Sequence, residues 1–494
     1  MYAAPHRDRE RIDGLATFAA VAFLTALGLV AALARVGAPD TVVVALGPLV
    51  AVFGLIIIGL VNRTARLSEF LAARRATPPF YAGMALAAVA AGMALSLGPQ
   101  AAEILAPWPA AIAGLSIAAL IVGPLLRRAN ASSAADVIAT RFQAAPIRFL
   151  FALIVFAVGG LSAAAGFAAA VDALVAAAGL SRRLAEIAIA ATLLAGVAPG
   201  GLKGQLWSDA ASFGAALAVA AIGASLAWSA SAQSGGQSAV AAWLAAPAPP
   251  DDAASLLRAA ANALALAAFL PLAAPALGAP TGQARRAGAY GLVLILVAAG
   301  LGAAGWAGFA AGAAEARSPV AAALVGAAAW LPAAALARAG ALAASRGGGV
   351  DLSAAYARFA VLASRRIALS RLTMLLVIGA SAVAVDRGMI VPSRDLAWAL
   401  GVNLALVSPA VALALAERGG PRSAAVLLAT AGIAFAAGLG SGWRSAEPQQ
   451  ILVAALVAGS IGLLAGAVAA LFERRMPPPA HFDPFADLPF SAPE

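Results

Sequence analysis

The stretch RLSEFLAARRATPPFYAGMALAAVAAGMALSLG, residues 66–98, changes character at Pro78-Pro79. Arg66, Glu69, Arg74 and Arg75 precede the prolines, and no charged residue follows them through Gly98. Proline suits the first turn of a helix, where backbone N–H groups have no intrahelical partner, and the alanine-rich run behind it favours helix. Because about 20 apolar residues cover the roughly 30 Å hydrocarbon core of a bilayer, this run reads as a membrane span entered from a basic loop.

The same pattern extends in both directions. Apolar runs fall at 14–35, 41–62, 80–105, 109–126, 148–179, 184–202, 207–230, 259–280, 287–311, 318–345, 368–386, 395–416, 423–443 and 450–472, fourteen candidate spans. The run at 148–179 must tilt or extend beyond the bilayer, and 184–202 is interrupted by Gly196 and Pro199. Over the 494 residues, 63% are apolar and 11% charged, well short of the ~25% charge that wets a soluble domain. A water-soluble globule is excluded, and the chain reads as an all-α polytopic membrane protein.

Composition removes further classes. With 0 cysteines there is no disulfide, iron–sulfur cluster or thiolate site. His6 and His481 both lie in polar tails, which leaves no histidine for haem, zinc or catalysis inside the spans. The net charge of +10 is scattered through short loops rather than gathered on one soluble face, so nucleic acid is not a partner. No GxxxxGK[ST] motif occurs, which excludes ATP-driven transport by this chain; no cofactor is expected.

With the N-terminus placed in the cytoplasm, inside segments carry 23 Lys and Arg and outside segments 8, with Arg338 left within a span. That bias predicts both termini in the cytoplasm and an even number of crossings, in a bacterial inner membrane. Residues 1–35 imitate a signal peptide, with Arg7 to Arg11, an apolar run and Ala32-Leu33-Ala34; the run is long for that purpose and reads as a retained anchor helix. The 231–258 connector is Ser/Gln/Gly/Pro-rich, the proline-rich tail 476–494 reads as disordered, and Gly347-Gly348-Gly349 reads as a flexible loop.

Four segments in order resemble the sodium/solute symporter family, and within it the monocarboxylate (acetate-like) branch. They are the opening stretch 66–98, GPLLRRANASSAADVIATRF (123–142), GVAPGGLKGQLWSDAASF (196–213) and LALAAFLPLAAPALGAPTGQARRAG (264–288). The resemblance implies a ten-helix core of two five-helix inverted repeats within 63–420, at 80–230 and 259–416. Residues 1–62 would add a tail and two flanking helices, and 421–475 two more. It also implies a secondary transporter of a small organic solute, and some relatives work with a small two-helix membrane partner.

Transport sites in this architecture lie at the midplane, where discontinuous helices free backbone groups. Gly92, Met93 and Ser96 in 80–105, with Pro271 and Pro275 in 259–280, are the expected solute-binding positions, and breaks are expected near Gly92–Ser96 and Pro271–Pro275. Glycine and proline also serve close packing in membrane helices. Asp209 follows Trp207-Ser208 at the expected start of a span and reads as a helix cap; by the resemblance it lies on an ion exit path. Asp172 and Glu103 read as interfacial. Sodium-coupled relatives carry a hydroxyl pair on the eighth core helix, whereas the matching stretch here runs through Ala335, Leu336, Ala337 and Arg338 with no hydroxyl. Loss of hard oxygen ligands puts sodium coupling in doubt and leaves protons or the solute gradient. Three readings of Arg338 stay open: snorkelling to the interface, a fixed cation replacing the ion, or a contact for a solute carboxylate. Against the transporter stands a transport-inactive, symporter-like subunit of a membrane complex.

Overall fold

Backbone N–H and C=O groups in lipid must be satisfied within the segment that carries them, and every regular element among the described residues is helical. The computed structural model describes residues 6–98, 108–128, 137–138, 141–142, 144–234, 252–280, 282–315, 319–352, 363–415, 420–440 and 445–473. Pro99, Glu103, most of the 231–258 connector and the tail 476–494 lie outside the described residues.

Two flanking helices come first, α1 (His6–Arg35) and α2 (Asp40–Val61). A short helix, α3 (Leu67–Ala72), leads through Ala73–Arg75 into α4 (Pro79–Leu97). Next, α5 (Trp108–Ile117) passes through a wide turn, Ala118–Val122, into α6 (Gly123–Arg128). Then come α7 (Ala145–Ala178), α8 (Arg182–Val197) and α9 (Leu202–Ser234). The second half holds α10 (Ala253–Ala268), α11 (Leu270–Leu277), α12 (Ala284–Glu315), α13 (Pro319–Ala328) and α14 (Leu331–Ser345). The series ends with α15 (Ala363–Asp386), α16 (Pro392–Val402), α17 (Ser408–Leu415), α18 (Pro421–Leu439) and α19 (Pro448–Phe472).

Among the described residues, 13 stretches are long and apolar enough to cross a membrane, one fewer than the sequence predicts. The difference is 184–202. Here α8 has 16 residues, about 24 Å at 1.5 Å per residue. It stops early because Ala198–Gly201 form a turn in which Gly201 has φ +57° and abuts Phe70; a Cβ there would lie 2.3 Å from the Phe70 carbonyl oxygen. Arg371 of α15 fixes this end by donating to the carbonyls of Thr64 (2.6 Å), Ala198 (2.9 Å) and Pro199 (2.9 Å). At the other end, Arg182 pairs with Asp172 near the close of α7, at 3.1 Å. The short helix is therefore held by an arginine contact at each end.

The axis of the molecule is α14, packed among α7, α4, α9 and α15 and buried from Ala333 to Leu342. Small residues permit that centrality. A Cβ on Gly166 of α7 would lie 2.6 Å from Ala337 N, and one on Gly340 of α14 would lie 2.4 Å from Ala163 N. Such backbone approach provides dispersion contact where helices gain nothing from the hydrophobic effect. By contrast, α1 and α2 present Phe18, Phe53 and Ile57 outward, as lipid-facing helices do.

Three expectations are corrected. First, α4 is continuous through Gly92–Ser96. Gly92 serves close packing instead, since a Cβ there would lie 2.1 Å from Pro332 O on α14; the helix ends at Gly98, φ +56°. Second, the other first-position helix is broken, but at Phe269 (φ −68°, ψ 111°), between α10 and α11. Proline at the start of α11 is accommodated there because its missing donor is not needed, so Pro271 lies just past the break and Pro275 within the helix. Third, Gly347 and Gly349 belong to a buried wide turn, Arg346–Asp351, pressed against Ala152 of α7 and Ser370 of α15, not to a flexible loop.

Candidate functional site

Charge sits at the centre of this apolar bundle. Asp209 on α9 and Arg338 on α14 each lie in the third turn of their helix, and both side chains are 0% exposed. Arg338 Nε donates to Asp209 Oδ1 at 2.6 Å and Nη2 to Ser212 Oγ at 2.7 Å, while Gln205 Nε2 donates to Asp209 Oδ2 at 3.0 Å. Gln205, Ser208, Asp209 and Ser212 follow one another at steps that place them on one face of α9. Room for the arginine comes from Gly196 of α8, where a Cβ would lie 3.1 Å from Arg338 Cδ.

Arg338 therefore does not snorkel. Its guanidinium is buried and paired, which is the arrangement that makes a permanent cation tolerable inside a membrane protein. Nor is Asp209 a cap: α9 begins at Leu202, and the carboxylate lies two turns inside. Arg338 Nη1, Gln205 Oε1 and Ser208 Oγ have no protein partner among the described residues, so the cluster keeps spare hydrogen-bonding capacity. At a low effective dielectric, a second cation placed beside the guanidinium would be strongly repelled.

The neighbouring ion-site positions act as packing residues. Ala335 shares an apolar cluster with Ala87 and Ala88 of α4 and Phe213 of α9, and Ala337 rests on Gly166 of α7. Of the solute positions, Met93 shares an apolar cluster with Phe269, Leu272 and Leu336, which brings α4 to the broken helix. Ser96 Oγ turns back to donate to Gly92 O at 2.8 Å. Beside α11 lies a mostly apolar cavity of about 30 Å³ lined by Leu270, Ala273, Leu277, Ala339, Leu342 and Arg346 among others, room for about two waters. Asp172 is exposed and paired with Arg182, away from this cluster.

Sequence reasoning missed Gln205, Ser212 and Asn403. Asn403 begins the wide turn Asn403–Val407, and its Nδ2 donates to Ala268 O at 2.6 Å, satisfying a carbonyl that the break at Phe269 exposes. The signals were present: a single Asn in the apolar run 395–416, and three polar residues at helical spacing on both sides of Asp209.

No family model matches the sequence, and no curated protein matches it. Among solved structures the chain is similar to a Na+-coupled sialic acid symporter in a substrate-bound outward-open state, with a TM-score of 0.67 and 14% identity over 88% of this chain and 98% of that one. It also matches a manganese transporter from Eremococcus coleocola (TM-score 0.43, 13% identity, 82% of this chain and 94% of that one). A third match is Mhp1 in an inward-facing conformation (TM-score 0.28, 12% identity, 85% and 90%); these two scores are too low to carry an argument. The first similarity establishes the fold: the described residues form an all-helical, multi-span chain with the fold of that structure.

Proposed function

We propose that this chain is a secondary transporter that moves a small organic solute, of the monocarboxylate class, by alternating access and without sodium. Repeats 80–230 and 259–416 would form the moving core, with both termini in the cytoplasm. One observation carries the sodium-free reading: in the stretch matched to the ion-binding helix of sodium-coupled relatives, Arg338 supplies a guanidinium held by Asp209 and Ser212. A sodium ion there would meet neither side-chain hydroxyls from α14 nor a free carboxylate, and would stand beside a fixed positive charge. Protons or the solute gradient remain as driving forces. Protonation of Asp209 would remove the charge that partners Arg338, which is how a proton would act on this pair.

The test is uptake of acetate and related short-chain carboxylates into proteoliposomes at fixed membrane potential. Uptake is expected to proceed equally with and without an inward sodium gradient. A several-fold rise on imposing that gradient would overturn the reading. A transport-inactive subunit is the second reading, favoured by the apolar surroundings of Met93 and by the smallness of the cavity beside α11. The absence of uptake under any gradient would select it.

A further inference from the structure

At the end of the bundle where α4, α9 and α12 begin, a cavity of about 360 Å³ lies between α1, the entry to α4 and the first turns of α12. Its volume is within the ordinary range of small-ligand sites. Asp13 of α1 lines it from one side, and Tyr81 Oη donates to Asp13 Oδ1 at 2.8 Å. Gln283, in the turn just before α12, and Arg286 and Tyr290 of α12 line it from the other, at steps of three and four that bring them to one side. Phe80 packs edge-on against both Tyr81 (5.7 Å between ring centres) and Tyr290 (5.9 Å). Phe80 and Tyr290 are nonetheless 46% and 47% exposed.

An interfacial aromatic belt accounts for the rings alone. It does not account for two opposite charges facing one cavity, of which Arg286 has no hydrogen-bond or ion-pair partner among the described residues. A carboxylate beside tyrosine faces receives an amine or quaternary ammonium, and a free guanidinium with an adjacent amide receives a phosphate. A ligand that satisfies both ends is a zwitterion in which a cationic amine and a phosphate lie a few bonds apart. Half-exposed rings at the starts of membrane helices put the mouth at the level of lipid headgroups, which identifies the source.

We propose that Asp13, Phe80, Tyr81, Gln283, Arg286 and Tyr290 form a binding site for the headgroup of a zwitterionic phospholipid, phosphatidylethanolamine or phosphatidylcholine. The site is independent of whether the core transports. Asp13 disfavours purely anionic lipids, and Arg286 disfavours a bare amine.

The test is native mass spectrometry of the full-length protein released from detergent containing equal amounts of phosphatidylethanolamine, phosphatidylcholine and phosphatidylglycerol. The two zwitterionic lipids are expected to be retained about fivefold over phosphatidylglycerol, the factor that one well-placed charge supplies near a membrane surface. Asp13→Asn is expected to abolish that preference, Arg286→Gln to lower retention of the zwitterionic lipids by a similar factor, and Arg285→Gln to change neither. Equal retention of all three lipids by the unaltered protein, or a preference untouched by both variants, would overturn the site. Protection against heating by soluble glycerophosphoethanolamine equal to that given by the lipid would overturn the lipid as its occupant.

Discussion

The pairing of Arg338 with Asp209 is the contact on which the most depends, and its energetics are asymmetric. Removing both charges from a buried pair is often neutral, whereas removing one leaves the other desolvated and alone, typically at a cost of about 3–5 kcal/mol. Asp209→Leu or Arg338→Met alone should therefore lower the midpoint of thermal unfolding in detergent markedly, while the double variant should recover most of the loss. If the two losses simply add, the side chains do not act as a pair. Both residues were visible in the sequence as charges inside apolar runs, but 129 positions separate them and nothing local ties one to the other. That is why the sequence leaves three readings of Arg338 open, and why contact with α9 is what removes snorkelling from them.

Helices here are terminated and interrupted by devices that only packing reveals. Prolines 271 and 275 drew attention to the right segment, yet the break falls at Phe269 because proline at a helix start needs no rearrangement. The carbonyl of Ala268 is then served from another element, by Asn403. Asn403→Leu removes that donor and should cost about 1–3 kcal/mol, the penalty for an unsatisfied buried polar group, seen as a lowered unfolding midpoint. A second borrowed cap closes the chain: Glu473, just past α19, accepts from the backbone N–H groups of Gly420 (2.5 Å), Arg422 (2.9 Å) and Ser423 (3.2 Å) at the start of α18. Burial pushes this carboxyl up, but hydrogen bonds from Ser423, Arg422 and Gly420 outweigh it and hold it below its ordinary 4.5. A carboxylate with a depressed folded value contributes stability that is full above the unfolded value and is lost as pH falls through the folded one. Glu473→Gln should thus destabilise by about 0.5–2 kcal/mol, the usual worth of a cap, at neutral pH. The difference from the unaltered protein should shrink only below pH 4.5; a difference constant down to pH 3 would mean that the charge is not what caps α18.

At the scale of the whole molecule, the spans were legible because apolar length is itself the constraint that lipid imposes, and the one ambiguous run, 184–202, is where the structure departs. With 16 residues, α8 is shorter than roughly 30 Å of hydrocarbon requires, and the count of crossings, hence the side on which every later loop lies, depends on it. Arg371 binds the carbonyls of both Thr64 and Ala198, which puts the end of α2, the end of α8 and the start of α15 at one end of the bundle. Between residues 63 and 365 there are then eight crossings with α8 included and seven without it. Because the chain has 0 cysteines, the question can be put directly with Arg63→Cys, Arg365→Cys and Arg387→Cys, each at an exposed arginine in a loop or near a helix end. A membrane-impermeant maleimide applied to intact cells should label Arg387→Cys and should reach Arg63→Cys and Arg365→Cys only after permeabilisation, the latter two reporting on opposite sides of α8 in the chain. Labelling of Arg365→Cys from outside while Arg63→Cys stays protected would mean that α8 does not cross, and it would invert the second half of the positive-inside assignment. Matched labelling of 63 and 365 with 387 opposed would make the short helix a true crossing, supported by the arginine at its end rather than by its length.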